Sequence, residues 1–205
     1  VGAALKTDVL FERAFAAHCR GDLSAAARLY RDLLRIAPRH TGALKALGVL
    51  QFSTGDTKSG LQSLKRATEA APNDAEAWSN YGNALRAVEH HVESAAACER
   101  AVELDPSDGT AHSNLAAAYR IMGRLGDSLQ HASRGVELLP GLPEAHINLA
   151  AGLQNLGETN SALGVLLRAA ELHPANLGLR QNLLFTSLYS DELTDEQITA
   201  MHAGV

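Results

Sequence analysis

Cysteine, proline and aromatic side chains are all scarce in this chain of 205 residues, and each scarcity removes a class of protein. Two cysteines, Cys19 and Cys98, cannot supply the disulfide framework that holds small secreted domains together, so both are expected as reduced packing residues of a cytosolic protein. Aromatic residues make up 4% of the chain and no β-branched run occurs, while Ala, Leu, Glu and Arg abound, which argues for helices throughout. A net charge of −5 lacks the basic excess of a nucleic-acid-binding face. Uncharged stretches fall well short of the roughly 20 residues that cross a bilayer, so no membrane partner is expected. Val1 opens the chain with neither an initiator Met nor a signal peptide, as expected of a piece of a longer protein. Neither a phosphate-cradling glycine loop nor a GxSxG elbow is present, and no nucleophile–base pair can be read from spacing. The chain by itself is expected to be no enzyme and to need no cofactor.

What proline there is carries the organisation. Five of the six prolines recur every 34 residues, at Pro38, Pro72, Pro106, Pro140 and Pro174. A fixed period of this length marks a solenoid, in which no unit buries its apolar face alone. With each proline set at position 32, the units are 7–40, 41–74, 75–108, 109–142 and 143–176, after a lead-in over 1–6 and before a half unit and junction helix over 177–205. Position 8 reads Ala14, Gly48, Gly82, Ala116, Ala150; position 20 reads Ala26, Gly60, Ser94, Ser128, Ala162; position 27 reads Leu33, Ala67, Ala101, Gly135, Ala169. Small side chains at fixed places let two helices approach closely. Position 7, mostly large and apolar (Leu47, Tyr81, Leu115, Leu149), fills the space between layers, with Arg13 the exception. Cys19 and Cys98 fall at unrelated positions two units apart, too distant to bridge.

This pattern resembles the tetratricopeptide repeat, down to Trp78, Gly82, Ala101 and Pro106 in the third unit. The resemblance implies an all-α fold: a right-handed superhelix of five full helix-turn-helix repeats, a partial sixth and a short C-terminal helix. Turns are expected at Gly21-Asp22, Gly55-Asp56, Gly123-Arg124 and Gly157-Glu158, with Glu89-His90-His91 replacing the glycine in the third unit. Asp74 and Asp108 are expected N-caps, and Pro143 suits a first helical turn. On the second helices, Arg66, Arg100, Arg134 and Arg168 stand three residues before Glu69, Glu103, Glu137 and Glu171, as solvated ion pairs rather than an anion-binding stripe.

The first helix of each pair lines the inner wall in this family, and there position 6 reads Glu12, Ala46, Asn80, Asn114, Asn148, Asn182. Asparagine is a mediocre helix former, but its amide matches the N–H and C=O of an extended peptide. Asn80, Asn114, Asn148 and Asn182 are therefore the expected peptide-holding ladder, with Asn83, Arg86 and Arg120 on the same wall; the alternative is that these asparagines bond neighbouring helices. Of the carboxylate clamp of chaperone-binding members only Lys45 and Asn80 fit, with Val49, Thr110 and Asn114 departing, so clamp function is not expected. His112 and His146 share position 4 with Trp78 but lack a third ligand column, so packing rather than metal binding is expected.

At the end of the chain, Asn182-Leu183-Leu184-Phe185, Tyr189, Leu193, Glu196 and His202 resemble the junction segment of O-GlcNAc-transferase-like proteins, where repeats hand over to a glycosyltransferase domain. That resemblance implies repeats that recruit a protein segment in the cytoplasm for a domain beyond Val205, with no catalytic residue in this chain. A free-standing adaptor and an architectural spacer are the alternatives. Thr194-Asp195-Glu196-Gln197 has the form of a capping box, predicting a short helix with Ile198 and Met201 inward. The apolar edge it leaves is expected to meet a downstream domain or another copy of the chain.

Overall fold

A computed structural model describes residues 2–191 together with Thr194 and Glu196. Eleven helices and no strand are found among the described residues. The first five are α1 (Gly2–Cys19), α2 (Leu23–Ile36), α3 (Thr41–Ser53), α4 (Thr57–Ala70) and α5 (Ala75–Ala87). They are followed by α6 (His91–Leu104), α7 (Gly109–Ile121), α8 (Leu125–Leu138), α9 (Pro143–Asn155), α10 (Thr159–Leu172) and α11 (Leu177–Ser187). The chain divides into two compact units, Val1–Asp105 and Pro106–Val205.

Odd-numbered helices from α1 to α9 pack against the even-numbered helix that follows, and the expected small positions are where they meet. A methyl group added at Gly82 would overlap Cys98 Sγ and lie 3.2 Å from both Cys98 N and Ser94 O. One added at Gly60 would come within 2.9 Å of Gly48 O and Phe52 N. Position 20 adds something the sequence reading missed. Ser94 Oγ donates to Gly82 O and Ser128 Oγ to Ala116 O, each at 2.8 Å, so the small residue here also binds the carbonyl of position 8 across the helix pair.

The turns follow the repeat. Gly21, Gly55, Gly123 and Gly157 have φ between 75° and 90°, and Glu89 takes φ 65° at the equivalent place, so the third unit keeps the turn and only its residue changes. Asp22, Asp56, Asp74, Asp108 and Asn176 accept from a backbone N–H in the first turn of α2, α4, α5, α7 and α11, satisfying donors that a helix start leaves open. Pro143 opens α9.

Three expectations change. The lead-in is helical: α1 begins at Gly2, because Ala3, Ala4, Leu5 and Lys6 are good helix formers and no proline precedes Asp8. Cys19 is exposed rather than packed, since it lies at the solvent-facing end of α1, whereas Cys98 is fully buried. The Arg–Glu stripe is incomplete: Arg100–Glu103 and Arg134–Glu137 pair at 3.0 Å, but Arg66 donates to Pro38 O at 3.0 Å instead. Of the helix expected after the capping box, Asp195, Gln197, Ile198 and Met201 lie outside the described residues, as do Leu193 and His202 of the junction pattern.

Candidate functional site

Within the first compact unit, α1, α3 and α5 share one face, and side chains from all three line a groove of 430 Å³. Phe11, Phe15 and His18 come from α1; Gly42, Lys45, Ala46 and Val49 from α3; Glu76 and Asn80 from α5. Helical spacing explains the set, since residues three and four apart lie on one side. The rings of Phe11 and Phe15 stack with centroids 6.3 Å apart, and Phe15 remains 51% exposed, which is unusual in a chain so poor in aromatics.

Lys45 is the one lysine or arginine among the lining residues, and it is already paired. Its ammonium contacts Asp74 at 2.9 Å and also Glu76. Burial alone would favour the neutral amine, but the hydrogen bonds and charges of Glu76 and Asp74 outweigh it and hold the Lys45 pKa above the ordinary lysine value. A lysine held by two acids has no free charge for an incoming carboxylate.

The asparagine column divides. The side-chain amide of Asn80 makes no hydrogen bond among the described residues and opens onto the groove. Asn148 instead donates to Ser113 O at 3.1 Å and Ser113 Oγ at 2.9 Å, tying α9 to α7. The amide of Asn182 donates to Gly178 O at 2.8 Å, one turn back on its own helix. Asn114 is half-buried on α7, and Arg120 is half-buried two turns further on. Asn83 is exposed and accepts from Arg86 at 2.8 Å, so these two side chains serve each other. The alternative reading of the column, bonding between helices, thus describes Asn148.

Position 4 has a structural explanation. Trp78 Nε1 donates to Pro72 O at 2.9 Å. His146 Nε2 lies 2.8 Å from Pro140 O, and His112 Nε2 lies 3.1 Å from Pro106 O. A carbonyl only accepts, so both histidines carry the proton on Nε2. The proline carbonyls closing the second, third and fourth units therefore each receive a donor from the next first helix, and where Leu44 has none, Arg66 serves Pro38. A 510 Å³ cavity beside His112 is lined by Gln130, His131, Ser133, Arg134 and Glu137 as well. Four of its polar side chains pair with one another: His112 Nδ1 meets His131 Nδ1 at 2.9 Å and Arg134 meets Glu137. Among the described residues no three His, Cys, Asp or Glu side chains come together as a metal site.

At the end of the second unit, α11 packs Leu179 inward and leaves Phe185 57% exposed, and Leu188 and Tyr189 just after it are exposed as well, Tyr189 at 64%. These two rings lie 5.1 Å apart and, with Gln154, Asn155 and Thr159, line a pocket of 340 Å³.

Three profiles described as tetratricopeptide repeat match residues 20–84, 75–108 and 97–130, together more than half of the chain. The chain belongs to the tetratricopeptide-repeat family. Cellulose synthase 2 operon protein C of Komagataeibacter xylinus is 42% identical over 64 residues, 31% of this tetratricopeptide-repeat chain and 5% of that protein. Among solved structures, PilW, described as a widely conserved type IV pilus biogenesis factor, superposes with a TM-score of 0.84 at 18% identity, covering 97% of this chain and 91% of its own. PilF of Pseudomonas aeruginosa superposes with a TM-score of 0.81 at 17% identity, covering 100% and 92%. YrrB, described as a TPR protein with an unusual peptide-binding site, gives 0.63 at 19% identity, covering 84% and 89%. At these identities the likeness is one of fold. Among the described residues, no helix of the tetratricopeptide-repeat chain is long and apolar enough to cross a membrane. Sequence reasoning missed the Phe11–Phe15 shelf, although two phenylalanines four apart in an aromatic-poor chain were a visible signal.

Proposed function

We infer that this chain is a protein-interaction scaffold that holds an extended polypeptide segment along the face made by its first helices. The observation that carries this reading is the groove over α1, α3 and α5, lined by half-exposed Phe15 and by Asn80, whose side-chain amide has no hydrogen-bond partner among the described residues. An apolar seat gives affinity, and an open amide gives main-chain hydrogen bonds that do not depend on sequence. Asn114 belongs to this reading as the next member of the column, and Arg120 as a rim residue. Asn148 and Asn182 contribute through their carbonyl oxygens, because their amide nitrogens are engaged within the fold. A peptide library displayed on phage and selected on the intact chain should yield binders that protect α1, α3 and α5 from hydrogen exchange. Protection confined to α2, α4 and α6 would overturn the assignment.

A second reading places these repeats ahead of a sugar-transfer domain in a cytoplasmic enzyme. The exposed Phe185, Leu188 and Tyr189 favour it, since they lie in the stretch that resembles the repeat–catalytic junction and form an apolar edge suited to a following domain or a second copy. Reading the gene past Val205 tests it: a glycosyltransferase-type domain is expected, and a stop codon there overturns it.

A further inference from the structure

The geometry points to charge selection by the groove of the first unit: its occupant is an extended protein segment in which an apolar side chain is flanked by lysine or arginine, building on the peptide-holding reading. The apolar seat is small. A volume of 430 Å³ lies in the range of about 300–1,000 Å³ that suits a few groups rather than a folded domain. Phe11, Phe15 and Val49 supply its walls, and Asn80 stands at its edge for the backbone of the segment.

The sign of the rim follows from the residues around that seat. The single positive charge of Lys45 is taken by Asp74 and Glu76 together, which already leaves an excess of acid. Glu76 is still 68% exposed at its side chain and has oxygen to offer a second cation. Asp8 and Glu12, both exposed, fall on the same side of α1 as Phe11 and Phe15 by helical spacing. Lys6 and Arg13 fall on the opposite side of that helix. Glu76 in the lining, Asp74 on the same ammonium, and Asp8 and Glu12 on the groove side of α1 thus set four carboxylates against one occupied ammonium. An incoming carboxylate would have to displace Asp74 or Glu76 from Lys45 and leave a displaced acid beside it, whereas an arginine or lysine finds acceptors without displacing anything. Complementary charge of this kind governs selectivity and encounter rate more than total affinity.

The test uses the intact chain and two fluorescein-labelled synthetic peptides that share a central leucine in a serine–glycine background and differ in flanks of arginine or glutamate. Fluorescence anisotropy at low salt should show the arginine-flanked peptide binding about ten-fold more tightly, a preference that shrinks as salt screens exposed charge. The double variant Glu12→Gln, Glu76→Gln should level the two affinities. Phe15→Ser should weaken the arginine-flanked peptide about ten-fold, as loss of an aromatic anchor does, while Val92→Ser on the exposed side of α6 leaves it unchanged. Equal or tighter binding of the glutamate-flanked peptide overturns charge selection and leaves the scaffold reading standing. If neither peptide binds, sequences selected from the displayed library decide: an apolar–basic consensus supports the proposal and one without basic residues overturns it. A library that yields no binder overturns both readings.

Discussion

At Cys98 two demands meet in one atom: its sulfur fills the space that Gly82 leaves open, and burial keeps it protonated. Burial raises the thiol pKa to about 12, against the opposing influence of the Ser94 side chain and the charge of Arg86. Unfolded, the same thiol loses its proton near its ordinary value of 9.0. A group whose folded pKa is raised gives its full stabilisation below the unfolded value and loses it as pH climbs toward the folded one. Stability is therefore expected to fall between about pH 9 and pH 12, with a limiting slope of about 1.4 kcal/mol per pH unit from this group. Denaturant midpoints followed across that window should fall less steeply in Cys98→Ala than in the parent, and equal slopes would contradict the assignment. Tyr30 and Tyr81, both raised first by burial, add to the alkaline loss in both proteins, so the difference between the two curves isolates Cys98.

Among the elements, the α5–α6 turn differs from its four counterparts. Glu89 holds φ at 65°, a left-handed conformation that costs a residue with a Cβ roughly 1–2 kcal/mol and glycine very little. Glu89→Gly is expected to recover about 1 kcal/mol of that, read as a higher melting temperature with unchanged helicity. The turn itself was legible in the sequence, because the repeat numbering placed Glu89 on the glycine column. Its strain was not, since only the backbone shows that a different residue adopts the same conformation. The same division holds for the ladder. A strict spacing revealed that Asn80, Asn114, Asn148 and Asn182 belong together, but hydrogen bonds reaching from α9 to Ser113 depend on helix placement that periodicity does not contain. Position 4 shows the converse: His112 and His146 read as packing residues because no third ligand column accompanies them, and the N–H donor they share with Trp78 was overlooked.

Across the whole molecule, one period wrote most of the fold: the prolines set the units, and small residues set the helix pairs. Function was less legible, because the groove draws on Phe11, Phe15 and Val49, side chains that neither the proline period nor the small-residue columns single out. Arg13 and Leu33, which depart from the repeat in the first unit, lie away from this groove: Arg13 falls on the side of α1 opposite Phe11 and Phe15, and Leu33 is buried on α2. The indole of Trp78 has a consequence of its own. It is the sole tryptophan of the chain, and it is hydrogen-bonded to the proline that closes the second repeat. The intrinsic fluorescence of the protein therefore comes from a reporter fixed at one joint. Emission followed beside far-ultraviolet circular dichroism distinguishes local opening of that joint from melting of the array as a whole, with no label introduced.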